Sequence, residues 1–161
     1  MLRPVAVAAV AAVMLTGCAS GDQTGSASGK LREFNSSTGL GASIASLQKT
    51  SENAAKALDS GASTNSMHTV CGVLLLATEQ ANSNLPSPDP TLTALLSKAY
   101  NTMGTAANDC YGAAGSPAKR ASFNNEHHLA LGLLAEAQAR AEAILGNALT
   151  TQTTAPADGA Q

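Results

Sequence analysis

Between positions 40 and 148, apolar residues recur in steps of three and four, the repeat of a helix that buries one stripe. Leu40, Ile44, Leu47, Ala54 and Leu58 share a first stripe when Ser51 fills its vacant position, and Asp59-Ser60-Gly61 ends it. A second stripe runs from about Thr64 to Asn84 through Met67, Cys71, Leu74, Ala77 or Thr78, and Ala81. Leu85-Pro86-Ser87-Pro88 cannot continue it, because proline lacks an N–H and holds its predecessor extended. Asp89 then reads as a helix cap with Pro90 at the first helical position. The third stripe carries Leu92, Leu96, Ala99, Met103, Ala106 and Cys110 and stops near Gly112 to Gly115. Ser116-Pro117 repeats the cap-plus-proline signal and opens a fourth, with Phe123, Ala130, Leu134, Ala137, Ala141, Leu145 and Ala148. No segment alternates with the period of two that marks a half-buried strand. The pattern predicts an all-α fold, an antiparallel up-down four-helix bundle over residues 39–149.

The flanks read differently. Residues 19–38 are rich in Ser, Gly and Thr, with one mixed patch from Lys30 to Phe34, and are expected to form a disordered, flexible N-terminal tether. Residues 150–161 form a second polar stretch, expected to be a disordered C-terminal tail. Composition fits the helical reading, since alanine is abundant throughout and loses no side-chain entropy in a helix. Aromatics are confined to Phe34, Tyr100, Tyr111 and Phe123, so the core must come from small residues on closely approaching helices. The formal charge is −2 and Lys119-Arg120 is the only basic doublet. Phosphate backbones need several cations on one face, which removes nucleic acid as a partner.

The first eighteen residues speak to address. Met1-Leu2-Arg3-Pro4 carries one positive charge, and Val5 to Leu15 is an unbroken apolar run, the length of a signal-peptide core and too short to span a bilayer. It ends on Leu15-Thr16-Gly17-Cys18, which resembles the lipobox of bacterial lipoproteins: an aliphatic residue, two small residues and an obligatory cysteine. The resemblance implies that residues 1–17 are a signal peptide recognised through Leu15, Thr16 and Gly17. It also implies that Cys18 receives a diacylglyceryl group through its thiol and becomes the mature N-terminus of a segment 18–38. Two or three acyl chains anchor stably where one is marginal. On this reading the protein is held on the outer, extracytoplasmic face of the cell membrane. With Cys18 lipidated, Cys71 and Cys110 remain as one pair, expected to oxidise outside the cytoplasm.

That pairing is feasible on helical geometry. Cys71 lies thirteen residues before Asn84 and Cys110 twenty after Pro90. At 1.5 Å per residue the two offsets differ by roughly 10 Å, which the extended Leu85–Pro88 link can absorb. The run from Cys71 through Leu85-Pro86-Ser87-Pro88-Asp89 to Leu96, Ala99-Tyr100, Ala106-Ala107 and Cys110 resembles a helical two-cysteine domain of exported actinobacterial proteins, over roughly residues 65–148. The resemblance implies fold and habitat and carries no activity with it.

Chemistry is thinly written. His68 and Cys71 share a helical face, and zinc held by these two, Cys110 and one of His127 or His128 can be drawn. The disulfide accounts for the same cysteines with fewer assumptions. Adjacent histidines also point about 100° apart, so His127 is expected to be partly packed, with His68 and His128 at the margin. None of Glu52, Glu79, Glu126, Glu136 or Glu142 has a histidine three residues on, which removes the di-metal bundle signature. Gly25-Ser26-Ala27-Ser28-Gly29-Lys30 lacks the spacing and the preceding strand of a phosphate loop. No metal, cofactor or catalytic set is expected. Leu74-Leu75-Leu76 and Leu131-Leu133-Leu134 supply more aliphatic surface than one stripe needs, to rest on a third helix, meet a partner or line a groove. The sequence therefore leads us to expect a non-catalytic surface lipoprotein that binds another envelope component. The alternative is a binder or carrier of a small hydrophobic ligand or lipid, which requires an enclosed apolar cavity of at least about 300 Å³.

Overall fold

A computed structural model describes residues 25–147 and Leu149. Every regular element among them is helical: α1 (Ala27–Thr38), α2 (Leu40–Asp59), α3 (Thr64–Ser83), α4 (Pro90–Ala113) and α5 (Pro117–Leu145). The expected signal peptide (1–17), Cys18, the first part of the tether (19–24) and the tail (150–161) lie outside the described residues.

Helix starts are set by side-chain caps. Asp89 accepts from the Leu92 N–H at 2.7 Å with Pro90 following, and Ser116 accepts from the Lys119 N–H ahead of Pro117. Ser63 does the same for α3. Each satisfies an N–H that the first turn leaves without a partner. The Leu85-Pro86 peptide is cis, and Ser87 is tied back to Thr93 through its backbone N–H and its hydroxyl.

The four expected stripes are the buried ones, save that Ala148 of the fourth lies outside the described residues, and Leu40, Ile44, Leu47, Ser51, Ala54 and Leu58 of α2 are all in the core. Cys71 and Leu74 of α3, Leu96 and Met103 of α4, and Phe123 and Leu134 of α5 are fully buried as well. Among the described residues nine core positions are alanines, including Ala99, Ala106, Ala107, Ala130, Ala137 and Ala141. Small side chains let helix axes approach at the short end of the usual 8–10 Å. Consecutive helices pack on each other from α2 to α5, and α5 also meets α1 and α2.

The tether boundary requires correction. Residues 27–38, expected to be disordered, form α1, so the described residues hold five helices, the first starting at Ala27 instead of near residue 39. Ser26 caps its start, and Gly39 ends it at φ 64°, a conformation that glycine adopts without Cβ strain. Leu31 is completely buried and Phe34 partly so, which fastens α1 onto the bundle. Its Ser/Thr-rich end is accommodated because Ser36, Ser37 and Thr38 donate their hydroxyls back to helix carbonyls. The Asn35 side chain then accepts from the Gly41 N–H, so α1 also caps α2, whose own cap residue Gly39 has no side chain to do so.

Candidate functional site

Cys71 of α3 and Cys110 of α4 form a disulfide with a Cα–Cα distance of 5.7 Å, and both cysteines are fully buried. Beside it, the His68 and Tyr111 rings meet at a 60° tilt with their centroids 5.5 Å apart. A Cβ on Gly72 would lie 3.1 Å from the Tyr111 hydroxyl, so glycine at that position leaves room for the tyrosine. The zinc arrangement loses its thiols to this bond, and no cluster of three metal-ligating side chains occurs among the described residues.

His127 sits deeper than expected, 5% exposed between α5 and α2, while His68 and His128 are exposed. Ser51 donates its hydroxyl hydrogen to the Gln48 carbonyl, so its oxygen accepts from His127 Nε2 at 3.2 Å. That selects the neutral tautomer with hydrogen on Nε2. The ring also stacks on Phe123 at 5.5 Å. Burial pushes the His127 pKa down, the neighbouring His128 pushes the same way, and Glu52 opposes them. The resulting group is a packed, neutral histidine joining two helices.

Two aspartates act as joints. Asp109, nearly buried at the end of α4, accepts from Lys119 and Ser122 on α5, and these bonds hold its carboxyl below its ordinary value. Asp89 caps α4 and also pairs with Arg140 at 2.8 Å, which lowers its pKa in the same way.

A groove of about 290 Å³ lies between α2 and α3, lined by small and neutral residues such as Ala42, Ser43, Ala77 and Gln80. A second, of about 270 Å³, lies between α3 and α4. Leu75, Thr78, Glu79 and Asn82 form its α3 wall, and Tyr100, Asn101, Gly104, Thr105 and Asn108 its α4 wall. Tyr100 at its floor is 2% exposed, and its hydroxyl has no hydrogen-bond partner among the described residues. No fully buried side-chain oxygen or nitrogen there lacks a partner, so the small exposed part of Tyr100 includes its hydroxyl. Burial raises its pKa to about 12, which keeps it a neutral donor. Gly104, one turn along α4, has no packing reason to be glycine, since a Cβ would meet only Thr78 Cγ2 at 3.9 Å. Glycine in a helix interior costs about 1 kcal/mol against alanine. Sequence reasoning passed over both residues, although an isolated glycine inside a strongly periodic helix was the available signal.

The aliphatic surplus is divided. Leu74, Leu133 and Leu134 are core, Leu75 and Leu131 are half-buried, and Leu76 is 66% exposed. Val73 and Leu129 are the other large apolar side chains in the open among the described residues. No described helix is long and apolar enough to cross a membrane. Leu15, Thr16, Gly17 and Cys18 lie outside the described residues. Comparison with protein-family models, curated proteins and solved structures finds no match to this chain.

Proposed function

We propose that this protein is a lipid-anchored, non-catalytic component of a bacterial envelope, exported by residues 1–17 and held on the outer face of the membrane through Cys18. The observation that carries the reading is the apolar run Val5–Leu15 ending on Leu15-Thr16-Gly17-Cys18, in a chain whose other two cysteines are bonded to each other. A disulfide suits an oxidising compartment, and it leaves one thiol, at the position where acylation requires it.

On this reading the helical unit is a binding or interaction module close to the bilayer. Because α1 begins at Ala27, the nine residue steps from Cys18 span at most about 30 Å even fully extended. We read α2–α5 as an up-down bundle with α1 as an added brace. Its support is that Arg120 near the start of α5 donates to the Leu58 carbonyl at the end of α2, while Arg140 late in α5 reaches Asp89 at the start of α4. Against the lipid-carrier alternative stand the α2/α3 and α3/α4 grooves, which are open and lined by polar as well as apolar residues.

Intact mass of the protein from native membranes, before and after reduction, tests the proposal. The expected mass is that of residues 18–161 plus diacylglyceryl or a further acyl group, gaining two hydrogens on reduction. A lipid-free mass, or one that retains residues 1–17, would sink the anchor.

A further inference from the structure

We propose that the α3/α4 groove floored by Tyr100 is a binding site for a neutral sugar ring. The proposal rests on the groove itself and is independent of the anchor.

Three observations converge. Tyr100 is 2% exposed and lines the groove, and its hydroxyl, open to solvent, has no protein partner among the described residues. Water meets that hydroxyl in the free protein, and a ligand hydroxyl can take the water's place. Gly104 then leaves open the space beside the tyrosine, although alanine would fit the packing and favour the helix. Finally, the rim is a set of groups with unused bonding capacity. The Asn82 and Asn101 amides and the Glu79 carboxylate have no partner among the described residues, and Asn108 spends its N–H on the Gly104 carbonyl while keeping its oxygen.

The chemistry of that set selects the ligand. No lysine, arginine or histidine lines the groove, which disfavours phosphates and carboxylates, since these are held by cations. The groove is open and polar, which disfavours an acyl chain. Amides and a phenol donate and accept, as does every hydroxyl of a sugar, Thr105 can still accept although its hydrogen is spent on the Asn101 carbonyl, and Leu75 offers an aliphatic wall to the C–H face of a ring. By volume the groove holds about nine waters, the scale of one ring.

Ligand-observed saturation-transfer NMR on the full chain, kept in a detergent without a sugar headgroup, tests this. The probes are glucose, mannose, galactose and N-acetylglucosamine, with glucuronate, glucose 6-phosphate and trialanine as controls. At least one neutral sugar is expected to bind saturably, with a dissociation constant of roughly a millimolar, and each control at least tenfold more weakly. The chain lacks Trp, so in a Tyr111→Phe background the tyrosine difference spectrum reports Tyr100 alone and should shift with the same saturation curve.

Gly104→Leu should fill the groove and reduce binding more than tenfold, as should Tyr100→Phe. Gly104→Ala should raise the thermal midpoint while weakening binding, a combination that a purely structural glycine would not give. The proposal is overturned if no neutral sugar binds saturably, if a charged sugar or the peptide binds better, or if a folded Gly104→Leu or Tyr100→Phe chain binds like the parent.

Discussion

Reducing the Cys71–Cys110 bond is the most informative perturbation of this fold, because its cost can be worked out beforehand. The bond closes a loop with a sequence separation of 39, and it joins α3 to α4 across the proline link. Chain-entropy reasoning assigns such a loop about 4 kcal/mol, as the freedom that the cross-link removes from the unfolded chain. Reduction leaves both sulfurs in place and so isolates that contribution. The Cys71→Ala/Cys110→Ala chain loses the same contribution and a little packing, about 1 kcal/mol more for the small cavity. Domains of this size unfold with a urea slope of about 2 kcal/mol per molar. The midpoint should therefore fall by about 2 M on reduction, a large part of the 5–15 kcal/mol that holds a typical domain together.

The assay is urea denaturation followed by far-UV circular dichroism, with and without reductant. Kinetics give a second reading. Both cysteines are 0% exposed, so a thiol reductant can reach the bond only when the helices open. Reduction should be slow in buffer and accelerate steeply near the unfolding midpoint. A midpoint shift below about 0.5 M would refute the reasoning, because it would mean that α3 and α4 are equally confined in the unfolded chain without the bond.

The remaining predictions concern single joints. Leu31→Ala should cost about 2–3 kcal/mol in the same titration, because the side chain is fully buried, whereas Arg32→Ala on the exposed side of α1 should cost under about 0.5 kcal/mol. The His127 pKa lies below its ordinary 6.5, so the unfolded chain binds that proton more readily than the folded one. Stability should accordingly fall as pH drops below about 6.5, and His127→Leu should flatten the thermal midpoint over that range. Asp89 and Asp109 have depressed values, so their contribution is present above about 3.8 and is lost as pH falls further; unfolding midpoints at pH 3 and pH 5 check this. Asp89→Ala should cost about 1 kcal/mol from the cap alone, measured at neutral pH, where the carboxylate is charged.

Where the sequence was legible, one physical signal dominated. Stripes of period 3.6 separated by Asp-Ser-Gly, Pro-Ser-Pro-Asp-Pro and Ser-Pro placed the starts of four helices and the ends of three to within a residue or two, because apolar periodicity and capping chemistry agreed there, whereas the fourth stripe was carried on to Ala148 although Gly146 caps α5 after Leu145. Over residues 27–38 they disagreed. Composition spoke for a linker, and Leu31 with Phe34 is a stripe of one turn, too short to outweigh it. The Ser26 cap and the Gly39 stop were both visible, but a twelve-residue helix is marginal alone, and α1 owes its stability to burying Leu31 on helices far along the chain. His127 was hidden for a related reason. It occupies a core position of its stripe, yet its acceptability there depends on Ser51, a residue 76 positions away that itself fills a gap in another stripe. The two polar exceptions to the pattern complete each other.

The same limit applies to Tyr100 and Gly104. In sequence they are an aromatic and a small residue on a helix, and either would pass as core packing. The groove lies where Gly104 carries no side chain and Thr78 of α3 comes only to 3.9 Å from where a Cβ would stand, while no group among the described residues bonds to the phenol hydroxyl. A core built from alanines makes this outcome physically natural. Small side chains let helix backbones approach closely and leave shallow clefts wherever two stripes diverge, so polar rims line clefts that a leucine-rich bundle would have filled. Filling the cleft through Gly104→Leu therefore asks whether it is a consequence of alanine packing or a place kept open. If it is only a consequence, the substitution stabilises the bundle and changes nothing else. If it is kept open, the added stability comes with the loss of a ligand.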